Sequence, residues 1–232
     1  MPVIEFRDAA VTVPDDGPVI LEPTTLRLTE LRIGIIGANG SGKSTLARLL
    51  NNLVSPTSGQ VLVDGIDAKR RSAEVRRKVG FCFSDPAAQL VMPTCVEDIE
   101  LSLRRSHSDP AERHQAALAV LAEFGLADRA DTSVHALSGG QRQLLALAGV
   151  LAVGPDVVVA DEPTTLLDLA NTRRIAEVLF ALRQQLVLIT HDLELVRRCE
   201  RVLVIDQAKV AFDGLPDDAV EHYRALVAEV AS

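Results

Sequence analysis

The chain is poor in aromatic residues and in cysteine. Aromatic residues make up 3% of its 232 residues and tryptophan is absent, which disfavours a nucleic-acid surface built on base stacking. The formal net charge of -8 also argues against a general nucleic-acid binder, so we expect no nucleic-acid partner. Cys82, Cys95 and Cys199 are odd in number and widely spaced, which argues against a disulfide framework or a zinc site and favours a reducing compartment.

Long apolar runs are also missing from the sequence. The longest, Leu144 to Val153, is about half the length of a membrane-spanning helix, which needs about 20 apolar residues. Residues 1–6 lack the basic and apolar regions of a signal peptide. We therefore expect a soluble chain that reaches a membrane only through a partner.

The order of predicted strands and helices indicates a parallel α/β core interrupted by a mostly helical insert. Strand patterns on both sides of the insert are separated by helix patterns, as in βαβ units. The predicted strands lie within 3–13 and 19–36, around a turn at 14–18, and at 61–63, 79–83, 156–160, 186–190, 201–205 and 209–212. The predicted helices run from Gly42 to about Asn52, from Asp109–Pro110 to Gly125, from Gly140 to before Gly154, over about 169–184, and from Pro216 onward with Ala219, Tyr223, Leu226 and Val230 on one side.

A phosphate-binding loop follows the predicted strand segment that ends at residue 36. Residues 37–44, GANGSGKS, match GxxxxGK[ST] between a buried strand and a helix, which is the context that supports the motif. Loop N–H groups and the helix N-terminus attract phosphate. We expect Lys43 to reach the β- and γ-phosphates of ATP and Ser44 to ligate Mg²⁺. The predicted nucleotide-binding residues are Gly37, Ala38, Asn39, Gly40, Ser41, Gly42, Lys43, Ser44 and Thr45.

Two acidic residues end the apolar strand 157–160. Asp161 stands where a P-loop protein places its Mg²⁺-associated aspartate. Glu162 follows directly and is a candidate to polarise the attacking water, as a general base or by orienting it.

A second anion site is predicted at Ser138, Gly139, Gly140 and Gln141. A serine hydroxyl followed by two glycines opens a helix there, which favours a bound anion. One chain needs only one binding site for the phosphates of a nucleoside triphosphate. We therefore expect this second site to face the nucleotide of another copy.

With this motif, LSGGQ, the chain resembles the ABC ATPase family over nearly its whole length. The resemblance implies a P-loop NTPase fold, with a RecA-like core, an antiparallel β subdomain and an inserted helical subdomain. It implies a head-to-tail dimer closed around two Mg-ATP, in which Ser138 and Gly140 complete the partner's site. It also implies that Asp168, at the end of the D-loop (residues 163–168), belongs to the nucleotide site and that His191 contacts the γ-phosphate. Asp168 by itself would equally suit a helix N-cap.

By the same resemblance, residues 1–232 form one ABC ATPase domain. Residues 1–84 and 156–206 would form the nucleotide-binding core, residues 85–155 the helical subdomain that carries the signature, and residues 207–232 the last hairpin strand and helix.

The chain departs from the family pattern at two places. Ser84 takes the position of the Q-loop glutamine, so we expect a catalytic role for a shorter side chain, without assuming that Gln89 substitutes for it. Val11 and Val13 stand where the family stacks an aromatic ring on adenine. Because base stacking is typically worth about 1–3 kcal/mol, we expect weak adenine recognition and equal binding of ATP and GTP.

Residues 83–90 and 94–99 are similar to the energy-coupling-factor (ECF) branch of vitamin and metal importers. Residues 32–37, 161–169 and 202–206 are similar to biotin importer ATPases. This similarity implies a transmembrane coupling subunit, a substrate-binding membrane subunit and a peripheral position on the cytoplasmic face of the membrane. The dimer would be a homodimer or would pair with a related ATPase. The alternatives are an importer of cobalt, of nickel or of another vitamin, and a soluble ABC ATPase that acts on DNA or ribosomes.

The coupling subunit is expected to dock in a groove near residues 84–100. The candidate lining residues are apolar, and packing of each inside the helical insert is at least as good an explanation. They are Val91, Met92, Ile99, Leu101 and Leu103.

Overall fold

The computed structural model describes residues 1–15 and 17–230, without the side chains of Glu229 and Val230. Its strands are β1 (Ile4–Thr12), β2 (Val19–Leu28), β3 (Arg32–Gly37), β4 (Ser58–Val63), β5 (Ile66–Asp67), β6 (Val79–Cys82), β7 (Val157–Asp161), β8 (Gln185–Ile189), β9 (Arg201–Asp206) and β10 (Lys209–Gly214). Its helices are α1 (Lys43–Leu49), α2 (Ser72–Lys78), α3 (Cys95–Leu103), α4 (Pro110–Glu123), α5 (Gly139–Ala152), α6 (Leu169–Phe180), α7 (Leu193–Val196) and α8 (Pro216–Val230). Asp16 of the predicted turn, the side chain of Val230 and residues 231–232 of the predicted C-terminal segment lie outside the described residues.

A six-stranded sheet in the order β10-β9-β3-β8-β7-β6 forms the centre of the molecule. The pairs among β9, β3, β8, β7 and β6 are parallel, and β10 closes the predicted hairpin with β9. Every residue of β3, β7 and β8 is buried, as expected for apolar strands covered on both faces. Because these three strands are neighbours and parallel, the loops that follow them meet at one edge of the sheet.

A second, antiparallel sheet in the order β2-β1-β4-β5 packs beside this centre. Its apolar residues Ile4, Phe6 and Val61 share one core with Ile33 of β3 and Leu46 of α1. Through this shared core, β3 and α1, which precede and follow the phosphate loop, pack against the antiparallel sheet.

Helices α3, α4 and α5, in the predicted helical insert, pack around a second apolar cluster that also includes residues of α6, β7 and β8. Ile99 and Leu103 are buried in that cluster, so their assignment to a docking groove is wrong: they lie one helical turn apart on the face of α3 that packs inward. Val91 and Leu101 are exposed and Met92 is partly exposed, so these residues remain available at the surface. None of the helices described is long and apolar enough to cross a membrane.

Two helices are shorter than the sequence pattern predicts. α1 ends at Leu49 rather than near Asn52, which has a φ of 54° in the left-handed region. α6 ends at Phe180 rather than near residue 184, because the buried guanidinium of Arg32 donates hydrogen bonds to the carbonyls of Phe180, Leu182 and Gln184. Carbonyls that accept hydrogen bonds from a side chain do not need the N–H groups of a further helical turn.

Candidate nucleotide site

A cavity of about 930 Å³ opens at the carboxyl edge of the central sheet. Residues from the ends of β3, β6, β7 and β8 line it together. Those predicted from the sequence are Gly37, Ala38, Asn39, Ser44, Ser84, Asp161, Glu162 and His191.

The phosphate loop is shaped by glycines that pack against neighbouring backbone. A Cβ on Gly37 would lie 2.0 Å from the carbonyl oxygen of Ile205, and a Cβ on Gly42 would lie 2.7 Å from that of Ile20. Both residues have positive φ, 150° and 108°, which favours glycine. The loop therefore holds one close-packed conformation between β3 and α1.

Polar groups inside this loop fit an anionic ligand. Lys43 is buried and its Nζ donates to the carbonyls of Gly37 (2.9 Å) and Ala38 (2.7 Å). Burial lowers the pKa of Lys43, and the nearby Glu162 and Asp161 oppose that shift. Because buried polar groups normally find a partner, the buried and unpaired Oγ of Ser41 is a group that a phosphate oxygen would satisfy.

Ser44 and Asp161 form the candidate Mg²⁺ site. The Ser44 hydroxyl donates to Oδ1 of the buried Asp161 over 3.0 Å. Burial raises the pKa of Asp161, which the hydrogen bond from Ser44 and the charge of Arg48 oppose. Hydroxyl and carboxylate oxygens suit Mg²⁺, which usually takes its remaining ligands from phosphates and water. In the part of the chain that is described, no cluster of three or more His, Cys, Asp or Glu residues suits a metal.

Glu162 is held in place by two hydrogen-bond donors. Its Oε2 accepts from the hydroxyl of Thr165 (2.9 Å) and from Nδ1 of His191 (2.8 Å). Its backbone N–H donates to the Ile189 carbonyl, and its φ of 51° lies in the sparsely populated left-handed region. The fold thus fixes Oε2 of this carboxylate through two hydrogen bonds.

Ser84 is exposed and lines the cavity, while Gln89 is engaged elsewhere. Oε1 of Gln89 accepts from the N–H of Phe83, and its Nε2 donates to the Ala146 carbonyl in α5 over 3.1 Å. Gln89 therefore ties the end of β6 to the helical insert and does not take the glutamine's place in the cavity.

The structure does not bring the signature motif into the cavity of its own chain. The Ser138 hydroxyl caps α5 by accepting from the Gln141 N–H (3.3 Å), and Oε1 of Gln141 accepts from the Ser138 N–H (2.9 Å). Asp168 caps α6 through the Asn171 N–H (2.8 Å). Within residues 1–15 and 17–230, the cavity lining includes neither the motif nor Asp168. The N-terminus of α5 therefore lies outside the cavity lining of its own chain.

Some cavity residues were not predicted from the sequence. Arg48 has Nη2 3.6 Å from Oδ2 of Asp161, and it lies one helical turn after Ser44, a spacing from which it was predictable. Thr165 lies in the turn after β7, where its hydroxyl donates to Oε2 of Glu162. Tyr223 and Leu226 of α8 also line the cavity, and no local pattern places them there.

The two valines expected near adenine differ in exposure. Val11 is 8% exposed and belongs to the core of the antiparallel sheet, so it cannot serve as a stacking surface. Val13 is 41% exposed and presents an aliphatic side chain.

Comparison with known protein families and sequences identifies close relatives. Residues 25–165 match the family model described as ABC transporter. A putative ABC transporter ATP-binding protein of Deinococcus radiodurans is 48% identical over 90% of this chain and 92% of its own length. The biotin transport ATP-binding protein BioM of Rhizobium etli is 42% identical over 97% of this chain and 99% of its own length. The energy-coupling factor transporter ATP-binding protein EcfA1 of Caldanaerobacter subterraneus is 35% identical over 90% of this chain and 78% of its own length.

Solved structures share the fold. Clostridium perfringens cbiO1, described as part of the ABC transporter complex cbiONQ, superposes with a TM-score of 0.82 at 27% identity, over 98% of this chain and 93% of its own. The ATP-binding cassette MJ0796, described as a dimer bound to ADP and Pi, superposes with a TM-score of 0.80 at 29% identity, over 92% of this chain and 98% of its own.

Proposed function

Since the chain belongs to the ABC transporter family and has its ATPase fold, we propose that it powers the import of biotin through an ECF-type transporter. The family and the fold are those that the motifs predicted. The chain is an ATP-hydrolysing ABC subunit, as its family relatives are. The observation that carries the ATPase part of the proposal is the convergence of the phosphate loop, Asp161, Glu162 and His191 on one cavity, and the relatives named for biotin transport support the substrate.

The cavity residues divide the work of ATP hydrolysis. Phosphoryl transfer needs mostly positioning and charge stabilisation. Lys43 and the loop N–H groups would bind the β- and γ-phosphates, and Ser44 and Asp161 would hold Mg²⁺, which neutralises phosphate charge when bound. Glu162, oriented by the two donors on Oε2, would accept a proton from the attacking water through Oε1. His191 and Ser84 would stand beside the γ-phosphate, in contact with the nucleotide.

We propose that two chains close head to tail around two nucleotides. The MJ0796 structure is a dimer, and the present chain holds its signature helix away from its own cavity. The N–H groups at the start of α5 would bind the γ-phosphate held by the partner, with Ser138 and Gly140 nearest to it. The partner would be a second copy of this chain or a related ATPase.

The proposed transport partners are a transmembrane coupling subunit and a substrate-binding membrane subunit. Relatives named for biotin transport and for energy coupling support this assignment. Val91 and Leu101, which are exposed, would contact the coupling subunit, and the chain would be a peripheral protein on the cytoplasmic face of the membrane. Cobalt or nickel transport is the second candidate, because the cbiO1 structure is part of a cbiONQ complex.

Uptake in cells tests the substrate. In a strain that lacks the gene, the chain is expected to restore uptake of labelled biotin, while Glu162→Gln, produced to the same level at the membrane, is not. Membrane proteins that copurify with the tagged chain should include a coupling subunit. Restoration of cobalt or nickel uptake instead of biotin uptake would reject biotin and keep the importer.

A further inference from the structure

The second glycine of the signature motif packs against a residue of α6 in the same chain. A Cβ on Gly140 would lie 2.2 Å from Oδ1 of Asn171 and 2.9 Å from its Cβ. A Cβ on Gly139 would have its nearest neighbour, Cδ2 of Leu167, at an ordinary 3.7 Å. Atoms packed at interior density do not approach to 2.2 Å without displacement. The two neighbouring glycines therefore differ, and only Gly140 is required by this intrachain contact.

Asn171 is itself fixed by the end of the D-loop. Asp168 accepts the Asn171 backbone N–H through Oδ1 (2.8 Å) and the side-chain Nδ2 through Oδ2 (2.8 Å). These bonds from Asn171 lower the pKa of Asp168, which favours its ionised form. The amide nitrogen is thereby turned to Asp168, and the amide oxygen is turned to Gly140.

We propose that Asn171 is a positioning residue that joins the D-loop to the signature motif of the same chain. The D-loop begins directly after Glu162, whose carboxylate accepts from Thr165 within the loop. A contact from Asp168 through Asn171 to Gly140 therefore connects a chain's own catalytic carboxylate with the anion site that it offers to its partner. This inference rests on the proposed head-to-tail dimer.

The contact predicts that a smaller side chain at residue 171 reduces the loss of dimerisation caused by Gly140→Ala. Gly140→Ala alone should weaken ATP-driven dimerisation by about tenfold or more, because the new methyl group displaces Asn171. With Asn171→Gly, adding Gly140→Ala should have no further effect. With Asn171→Ala the relief should be partial, because the Cβ of residue 171 would still lie 2.9 Å from the new methyl group. Asn171→Asp keeps the shape but places a second carboxylate against Asp168, so it should also weaken dimerisation.

The experiment measures dimerisation and nucleotide affinity separately. All variants carry Glu162→Gln, are incubated with Mg-ATP, and are examined by size exclusion with light scattering over a range of protein concentrations. A fluorescent ATP analogue reports affinity in dilute monomer, which should change by no more than about twofold, because neither position lines the cavity of its own chain. Gly139→Ala is the matched control: its effect should be the same with Asn171 present or replaced by glycine.

The outcomes separate this inference from the proposed function. An equal loss from Gly140→Ala with and without Asn171→Gly would overturn the inference, since the glycine would then be needed for another contact. If Glu162→Gln alone fails to dimerise with ATP, the head-to-tail proposal fails. The Gly140–Asn171 contact is then tested by urea unfolding of the same variants. A change in the free energy of unfolding from Gly140→Ala that is the same with Asn171 and with Asn171→Gly would overturn it.

Discussion

Replacing Glu162 by glutamine should stop turnover and leave nucleotide binding almost unchanged. A general base contributes about 10²–10⁴-fold to a rate, so kcat should fall by at least about 100-fold. The groups that bind phosphate, Lys43 and the loop N–H groups, are untouched, so ATP affinity should stay within about twofold.

The two hydrogen bonds to Oε2 of Glu162 allow a finer test. Thr165→Val removes the bond of 2.9 Å from the hydroxyl and keeps the bond of 2.8 Å from His191. A hydrogen bond to a charged group is worth about 1.5 kcal/mol or more, so kcat should fall about tenfold with KM nearly constant. Thr165→Ser keeps the hydroxyl and should retain activity within about threefold.

Steady-state phosphate release and equilibrium binding of a fluorescent ATP analogue measure both quantities. Wild-type turnover by Glu162→Gln would refute the catalytic assignment. Equal losses from Thr165→Val and Thr165→Ser would refute the orienting role of the hydroxyl.

Three further predictions concern packing, base recognition and charge. Ile99→Ala should lower the free energy of unfolding in urea by about 2–5 kcal/mol because it leaves a core cavity, whereas Leu101→Ala, at an exposed position, should change it by less than about 1 kcal/mol. Similar losses from the two substitutions would reject the assignment of Ile99 to the core and of Leu101 to the surface. ATP and GTP should bind equally, and Val13→Tyr should strengthen both by about 1–3 kcal/mol in titration calorimetry; strong adenine selectivity of the wild type would contradict this. Burial raises the pKa of Asp161 above its ordinary 3.8, so the nucleotide-free wild type loses stability as pH rises past 3.8 and this buried carboxyl ionises. The free energy of unfolding of Asp161→Asn in urea should therefore increase relative to that of wild type with rising pH. A difference between the two proteins that does not change with pH would contradict this prediction.

Contiguous motifs made much of the site predictable. Residues 37–44 form a contiguous motif between β3 and α1, so the sequence sufficed to place Lys43 and Ser44 at the start of α1. The apolar strand before Asp161 and Glu162 predicted a buried parallel strand, and its neighbours in the sheet then brought His191 to the same edge.

Contacts between distant segments were not predictable from local pattern. Arg32 ends α6 from a strand that is remote in the sequence, and no pattern within residues 169–184 indicates it. The contact between Gly140 and Asn171 likewise joins two helices that the sequence pattern treats separately. The inward position of Ile99 was available from its spacing to Leu103, which places both on one face of α3.

Cross-linking tests most directly whether the signature helix binds at the partner's phosphate loop. The three native cysteines are buried, so Asn39→Cys in one chain and Ser138→Cys in another, each with Glu162→Gln, supply the exposed thiols. A disulfide needs Cα atoms within about 7 Å of each other. Mixing the two variants with Mg-ATP should give an interchain disulfide, absent without nucleotide and absent from either variant alone. Failure of the mixture to cross-link with Mg-ATP, while the protein is dimeric, would contradict the head-to-tail site.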